Sequence, residues 1–392
     1  MTPRKVLFWM HLIAGCTGGI VILLMSLTGA LLGYKKQILR ASNRSFEIAA
    51  PSPGARRLPM EELLARVQVS RNQMPSAITV RSEAASPVAV DFGRDATVFV
   101  DPYSGNVLGQ QSPRLQAFFT QVEDLHRWLA VSEENRETGR AITGACTLGF
   151  VFLTLTGPWL WWPKEWTWTN LKKRSVLRGG RWGRALHWNW HHALGIWSVA
   201  PLFLIALTGV IMSYTWANNL LYTLTGNTPP APISQLRVEG PARAANRDPY
   251  KGGQHAAQKR FEGLGDLLAR AEQQVAGWRT IGVRLPRGPM EKVTFSIDTG
   301  DGGRPDLRSQ VTLDAKTGTV VSLETFSGYN RGRQLRMWAR FTHTGEVLGV
   351  AGQTIATLAT VAACLLMITG ITLTIYRFAS PKSGPSSSET KD

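Results

Sequence analysis

Four stretches of this chain carry no Asp, Glu, Lys or Arg: Val6 to Tyr34, Ala141 to Pro163, Ala185 to Leu236 and Val347 to Tyr376. Inside them lie apolar cores at roughly 6–33, 141–162, 191–217 and 350–376. Each is long enough for the ~30 Å of hydrocarbon that a helix crosses in about 20 residues. The backbone there has no water to bond, so each run must satisfy its own N–H and C=O groups. The chain reads as a membrane protein with four transmembrane α-helices. The first run is longer than the usual apolar core of a signal peptide and lacks a clear small-residue cleavage site before Tyr34-Lys35-Lys36, so it reads as an anchor.

Orientation follows from the short loop 163–186. It holds Lys164, Lys172, Lys173, Arg174, Arg178, Arg181 and Arg184 against the single acid Glu165, and a cation excess in a short loop marks the cytoplasmic side. Both termini then lie in the cytoplasm. Lys35, Lys36 and Arg40 after the first helix, and the arginines of 331–340 before the fourth, pull the other way. They flank long translocated segments, which weigh less in the rule. The expected order is a first span over 1–35, an extramembrane domain over 36–125, a lead-in and second span over 126–162, and the basic loop 163–186. A third span over 187–217, a second domain over 218–340, a lead-in and fourth span over 341–377 and a tail over 378–392 follow.

The net charge of +17 comes with no nucleic-acid-binding motif, and much of it sits beside the apolar runs, so it reads as a membrane-edge charge and not a nucleic-acid footprint. Cys16, Cys146 and Cys364 all fall within apolar runs. They offer no disulfide framework or thiol metal site.

The two large segments outside the runs read as soluble α+β domains. In the first, MEELLARV predicts a helix and ITVRS, PVAVDF and ATVFVDP predict strands; in the second, LGDLLARAEQQVA predicts a helix and RTIGVRL, EKVTFSID and SQVTLDA predict strands. Each set ends in a similar phrase, VFVDPYSGNVLG and VTLDAKTGTVVS, where Asp101 and Gly105 match Asp314 and Gly318. An Asp opening a tight turn and a Gly with positive φ account for the phrase structurally.

A larger repeat follows. His11 is followed eighteen residues on by the glycine of a Leu-Thr-Gly, Gly29; His191 is followed eighteen residues on by another, Gly209. Small residues recur at the same offsets, Gly15 and Gly18 after His11, Gly195 and Ser198 after His191. Gly139 and Gly157, like Gly352 and Gly370, are again eighteen apart, the second glycine preceded by Thr each time. The chain reads as two copies of helix, α+β domain, helix.

This alignment puts His11 and His191 at one depth near the inner face. His126 and His343 stand ahead of the second and fourth spans on the other side. Their spacing to the aligned glycines differs, 126 to 139 against 343 to 352. The difference of four residues is about one helical turn, which preserves a face only if the segment is helical. A single interfacial imidazole is an ordinary amphipathic residue. Two depth-matched pairs across a four-helix bundle suit axial ligation of a b-type haem, with small residues clearing room for the porphyrin. Zinc lacks a third or fourth ligand near either pair, and neither pair belongs to a CxxCH of covalently attached haem. His187 and His192 rival His191 as the inner ligand; His187 shares its face, while His192 points about 100° away.

The sequence HLIAG...SLTG, FVDPYSG, LHRWL...LTGPWLWW, HHALGIW...LTG and FTHTGEVLG resembles the PepSY-associated transmembrane proteins over nearly the whole chain, and especially the ferrisiderophore reductases among them. The resemblance implies an inner-membrane protein with two periplasmic PepSY domains and, in the reductase branch, two haems that carry electrons to ferric siderophores. His11, His126, His191 and His343 fall on the histidine positions of that pattern. The functional expectation is an electron carrier between a cytoplasmic or membrane donor and a periplasmic ferric siderophore, with Fe(II) released because it binds hard oxygen ligands less well. Arg331, Arg333, Arg336 and Arg340, with Trp338 among them, are expected near the mouth of the outer haem site as an attractor of an anionic chelate; a lipid-phosphate belt is the other reading of that cluster. The alternative function is a membrane-anchored binding or regulatory protein without haem. A transporter is disfavoured by the lack of charge at the membrane midplane.

Overall fold

The computed structural model describes every residue except 50–53, 72, 94–95, 231–260, 286–290 and 380–392. Most of the expected tail 378–392, and parts of the expected domains 36–125 and 218–340, therefore lie outside the described residues. The chain divides into two compact units, one formed by Met1–Gly33, Val122–Thr215 and the chain from Thr342 onward, the other by Tyr34–Gln121 and Trp216–Phe341.

The first unit is a four-helix bundle of Pro3–Leu32, Arg136–Trp161, Arg184–Ser213 and Gly349–Ala379. Only 17% of the most apolar window in the first span and 33% in each of the others is buried inside the protein. Ile13, Ile20, Leu155, Leu204, Leu358 and Ile375 face outward. A surface this apolar needs an apolar solvent, and the protein is a membrane protein. The first span packs against the second and fourth, and so does the third, which sets the first and third on one diagonal of the bundle. Ile22, Leu153, Leu202, Ala359, Ala363, Leu366 and Met367 fill its middle. The third span starts at Arg184, ahead of its apolar core, so LHWNWHH is helical throughout. It stops at Ser213, short of the expected 217, because Tyr214 is extended before a separate helix, Thr215–Leu224.

The basic loop is anchored from within that helix. Asn189 donates to the Lys173 and Val176 carbonyls, both at 3.0 Å, and accepts from Arg178 N at 2.9 Å. Arg4 donates to the Leu160 and Trp162 carbonyls at 2.8 Å and Arg174 to the Trp161 carbonyl at 2.7 Å. These cations occupy the negative, carbonyl-rich end of the second span, where a positive charge is favoured.

The second unit joins the strands of both extramembrane segments. Strands β1 (Ala77–Arg81), β2 (Val88–Phe92), β3 (Ala96–Val100), β4 (Val107–Gln110), β5 (Thr280–Arg284), β6 (Lys292–Asp298), β7 (Arg308–Asp314) and β8 (Val320–Thr325) form one antiparallel sheet. Its order is β4-β3-β2-β1-β5-β6-β7-β8. The seam is β1 on β5, Ala77 opposite Arg284 and Thr79 opposite Gly282. Pairing these two strands satisfies the N–H and C=O groups that either half alone would leave bare. The two strands share one alternation of burial, so Ile78, Val80, Ile281 and Val283 enter a single core beneath the helices Met60–Arg71 and Leu264–Gln274.

The repeated turn phrase forms as its composition requires. Asp101 accepts from Tyr103 N at 2.8 Å and from the Ser104 hydroxyl at 2.7 Å, and Asp314 accepts from Lys316 N at 3.0 Å and Thr317 N at 2.9 Å. Gly105 and Gly318 take φ +72° and +68°, where a side chain would be strained. Partial burial pushes the Asp101 carboxyl up, but the donors from Tyr103 and Ser104 outweigh it and hold it below the usual carboxylate range. At Asp314 the Thr317 and Lys316 amides act in the same downward direction. In each turn an arginine from the neighbouring helix reaches a turn carbonyl, Arg66 to Ser104 and Arg270 to Gly318.

Candidate functional site

Each of the four histidines singled out by the repeat lies against a threonine on another helix of the bundle, and a glycine follows that threonine in every case. Nδ1 of His11 is 2.7 Å from Oγ1 of Thr156, and Nδ1 of His191 is 3.1 Å from Oγ1 of Thr369. At the other end, Nδ1 of His126 is 2.9 Å from Oγ1 of Thr28, and Nδ1 of His343 is 3.2 Å from Oγ1 of Thr208. The exchange is reciprocal. The first span supplies His11 and Thr28 to the second segment's Thr156 and His126, and the third and fourth do the same with His191, Thr208, Thr369 and His343. The glycine after the threonine gives the ring its space. A Cβ on Gly29, Gly209 or Gly370 would stand 3.4, 3.4 or 3.3 Å from Cε1 of His126, His343 or His191. Gly157, which follows Thr156, is the exception: a Cβ there would meet nothing within 4 Å.

The outer histidines reach the bundle on lead-in helices that are not continuous with the spans. His126 lies near the end of the helix Pro113–Trp128, which Leu129 and Ala130 terminate at φ 57° and 52°; His343 ends the helix Arg331–His343, which Gly345 terminates at φ 72°. The expected condition that the intervening segment be helical is therefore not met. The four-residue difference is absorbed by unlike turns. The aligned glycines close both: a Cβ on Gly139 would collide with the Trp128 carbonyl, and one on Gly352 with the Gly345 carbonyl. With the turns closed, the rings of His126 and His343 sit 6.2 Å apart between centres at 61°.

At the end of the bundle opposite His126 and His343, a cavity of about 650 Å³ is lined by His11, His191 and His192. Its walls are apolar or small, with Phe150, Leu202, Met367, Gly15, Gly195 and Gly370 among them. Arg4, Lys5, Arg184 and Arg377 also line it, and among the described residues no Asp or Glu does. Of the rivals, His187 is not on the cavity wall; its Nδ1 donates to its own helix at Gly183 O, 2.8 Å, and its ring rests by Trp182 and Tyr376. His192 is on the wall, but its Nδ1 donates to Trp188 O at 2.8 Å and its ring stacks on Trp188 at 4.0 Å. Only His191 repeats the threonine-glycine environment of the other three.

These residues fit a haem. Two imidazoles sharing one metal have ring centres roughly 6 Å apart when each metal–nitrogen bond is about 2 Å, the separation of His126 and His343. The inner cavity offers an apolar slot with cations for the acidic groups of a porphyrin. Among the described residues no group of three or more His, Cys, Asp or Glu is placed to hold a metal ion by itself, so a group that brings its own equatorial ligands suits the donor set better than a bare ion.

The arginine cluster resolves into different roles. Arg333 pairs with Glu324 at 2.9 Å and lies over Tyr329, and Arg336 donates to Asn218 at 3.1 Å. Trp338 packs edge-on against Phe326. Arg331 and Arg340 are the exposed members.

A four-helix membrane bundle with paired histidines at two levels, its chain interrupted by two insertions that build one antiparallel sheet, defines the structural class. The chain matches the PepSY-associated TM region over residues 8–377 and belongs to that family. No curated protein matches it.

Proposed function

We propose that the chain is a di-haem b protein of the bacterial inner membrane that reduces ferric siderophores on the periplasmic side and so releases Fe(II). His11 and His191 would hold the inner haem, His126 and His343 the outer one. When bound, these groups supply one-electron exchange between ferric and ferrous iron. The reading rests on one observation above all, the fourfold recurrence of a histidine set on a threonine of another helix, twice at each end of the bundle.

The remaining residues have definable tasks. Leu153, Leu202, Leu366 and Met367 exclude water and ions from the middle of the bundle. Arg4, Lys5, Arg184 and Arg377 balance acidic groups at the inner site. The seven cations of 163–186 support a cytoplasmic inner site and a periplasmic sheet. We read that sheet as two PepSY domains, β1–β4 and β5–β8 with one helix each, and the chain as two helix–domain–helix copies. Arg331 and Arg340 give the sheet unit a positive charge suited to an anionic ferric chelate.

Protein purified from haem-replete cells should show a Soret band that sharpens and shifts on dithionite, with about two haems per chain, and should be reoxidised by a ferric siderophore. A colourless preparation would instead favour a membrane-anchored binding module. A red one that ferric chelates leave reduced would separate the haem from the substrate.

A further inference from the structure

We propose that Thr28, Thr156, Thr208 and Thr369 are positioning residues that lock each histidine in its Nδ1-protonated form, leaving Nε2 as the ligand atom. This rests on the haem reading above. It assigns a task to residues that the ligand set does not include.

A threonine hydroxyl has one proton to give. In all four cases a carbonyl of its own helix claims that proton, nearer than the imidazole for Thr28, Thr208 and Thr369, and at 2.8 Å against 2.7 Å for Thr156. Thr28 donates to Leu24 O at 2.8 Å, Thr156 to Phe152 O at 2.8 Å, Thr208 to Leu204 O at 2.7 Å and Thr369 to Leu365 O at 2.7 Å. With the proton committed, the oxygen can only accept, and the proton in the contact with the imidazole must sit on Nδ1. The backbone agrees at His343, where Ile205 O lies 2.9 Å from Nδ1; Ile205 precedes Thr208 by three positions. A carbonyl cannot donate, so an unprotonated Nδ1 there would set lone pair against lone pair.

Two consequences follow for a ligand. The neutral imidazole carries its free lone pair on Nε2, and an acceptor on the opposite nitrogen makes that lone pair more basic. The hydroxyl also fixes the angle of the ring, helped at His126, His191 and His343 by the adjacent glycine. His187 and His192 have the same protonation through carbonyls N-terminal to them on their own chain segment, but no hydrogen bond from a second helix reaches their Nδ1 among the described residues. Threonine is what ties the ligand to the bundle, so a helix shift that moved the ring would first break this bond.

The test replaces each threonine by Val, which keeps the shape and removes the acceptor, and by Ser, which restores it, in the full chain. We expect Thr156→Val and Thr369→Val to raise the midpoint potential of the inner haem alone, and Thr28→Val and Thr208→Val that of the outer haem alone. A less basic ligand favours ferric iron less, and a tenfold change in that preference is about 59 mV for one electron. Haem affinity at the altered site should fall roughly 10–100-fold, as for other lost partners of ligating histidines, and Ser should restore both. Histidine-selective 15N NMR of the haem-free protein should show Nδ1–H rings in the wild type and mixed tautomers at the altered position in Thr28→Val, Thr156→Val and Thr369→Val, whereas His343 in Thr208→Val keeps Nδ1–H through Ile205 O. Val variants with two haems, unchanged potentials and unchanged tautomers would overturn the proposal while leaving the haem reading intact. A wild type that takes up no haem would overturn that reading first, and this proposal with it.

Discussion

The imidazoles of His126 and His343 meet at 6.2 Å between ring centres although they lie 217 positions apart (343 − 126) and arrive on separate helices. If they share one metal, neither suffices alone. His126→Ala and His343→Ala should each lower the haem content from about two per chain towards one, with the inner haem spectrum retained. Pyridine haemochrome analysis against protein concentration checks the ratio, and loss of both haems in either variant would contradict two independent sites.

The inner site tests the choice among three neighbouring imidazoles. His11→Ala and His191→Ala should remove the same haem, whereas His187→Ala and His192→Ala should keep it, since only His191 sits on Thr369 and Gly370. Loss on His192→Ala with retention on His191→Ala would move the ligand by one residue. Electron transfer to a ferric siderophore should stop in both ligand variants while the outer haem remains.

Gly139 and Gly352 predict a stability effect that has nothing to do with ligands. A methyl group at either would press on a backbone carbonyl that cannot retreat without opening the turn beside His126 or His343. Gly139→Ala and Gly352→Ala should each cost roughly 1–3 kcal/mol, the range for overpacking. Gly149→Ala, whose Cβ would meet nothing within 4 Å, should be neutral or gain up to about 1 kcal/mol of helix propensity. Thermal unfolding in detergent ranks the three, and equal melting temperatures would contradict the close approach.

The four spans were legible because charge-free runs of that length have one solution in hydrocarbon, and His11 and His191, which the glycine spacing aligned, line one cavity. MEELLARV, LGDLLARAEQQVA and the predicted strands also formed where expected. The single sheet was not legible. Alternation marks a strand and its buried face, but Ile78 and Val283 carry no sign of which strand edge they will pair. The threonines were visible in Leu-Thr-Gly, yet their partners lie 98 to 178 positions away, a distance that pattern reading along one helix does not bridge. The turns after His126 and His343 escaped for another reason: Leu129 and Ala130 adopt positive φ, which neither residue type advertises.

The exposed arginines predict a salt-dependent rate. Arg331→Gln with Arg340→Gln should slow reoxidation of the reduced protein by an anionic ferric chelate, up to about tenfold at low ionic strength, and the difference should shrink as salt screens the charge. Arg336→Gln should act through stability instead, because it loses the bond to Asn218. Identical rates for the double variant at low salt would remove these arginines from substrate attraction.

Sidedness has a direct readout. A reporter active only in the periplasm should be silent when fused after Arg174, in the segment that Asn189 ties to the third span, and active when fused after Gly226. The reverse pattern would exchange the inner and outer sites.

The seam between β1 and β5 also sets a clock. Thr79 and Gly282 are 203 positions apart (282 − 79), so β1 is made long before its partner exists. At ~5–20 residues per second of synthesis, the first half waits roughly 10–40 s with one strand edge bare, the condition in which sheets recruit the wrong neighbour. The second half of the chain thus arrives as the covering that the first has lacked since birth, and a nascent chain arrested between the two should be far more prone to aggregate than the finished protein.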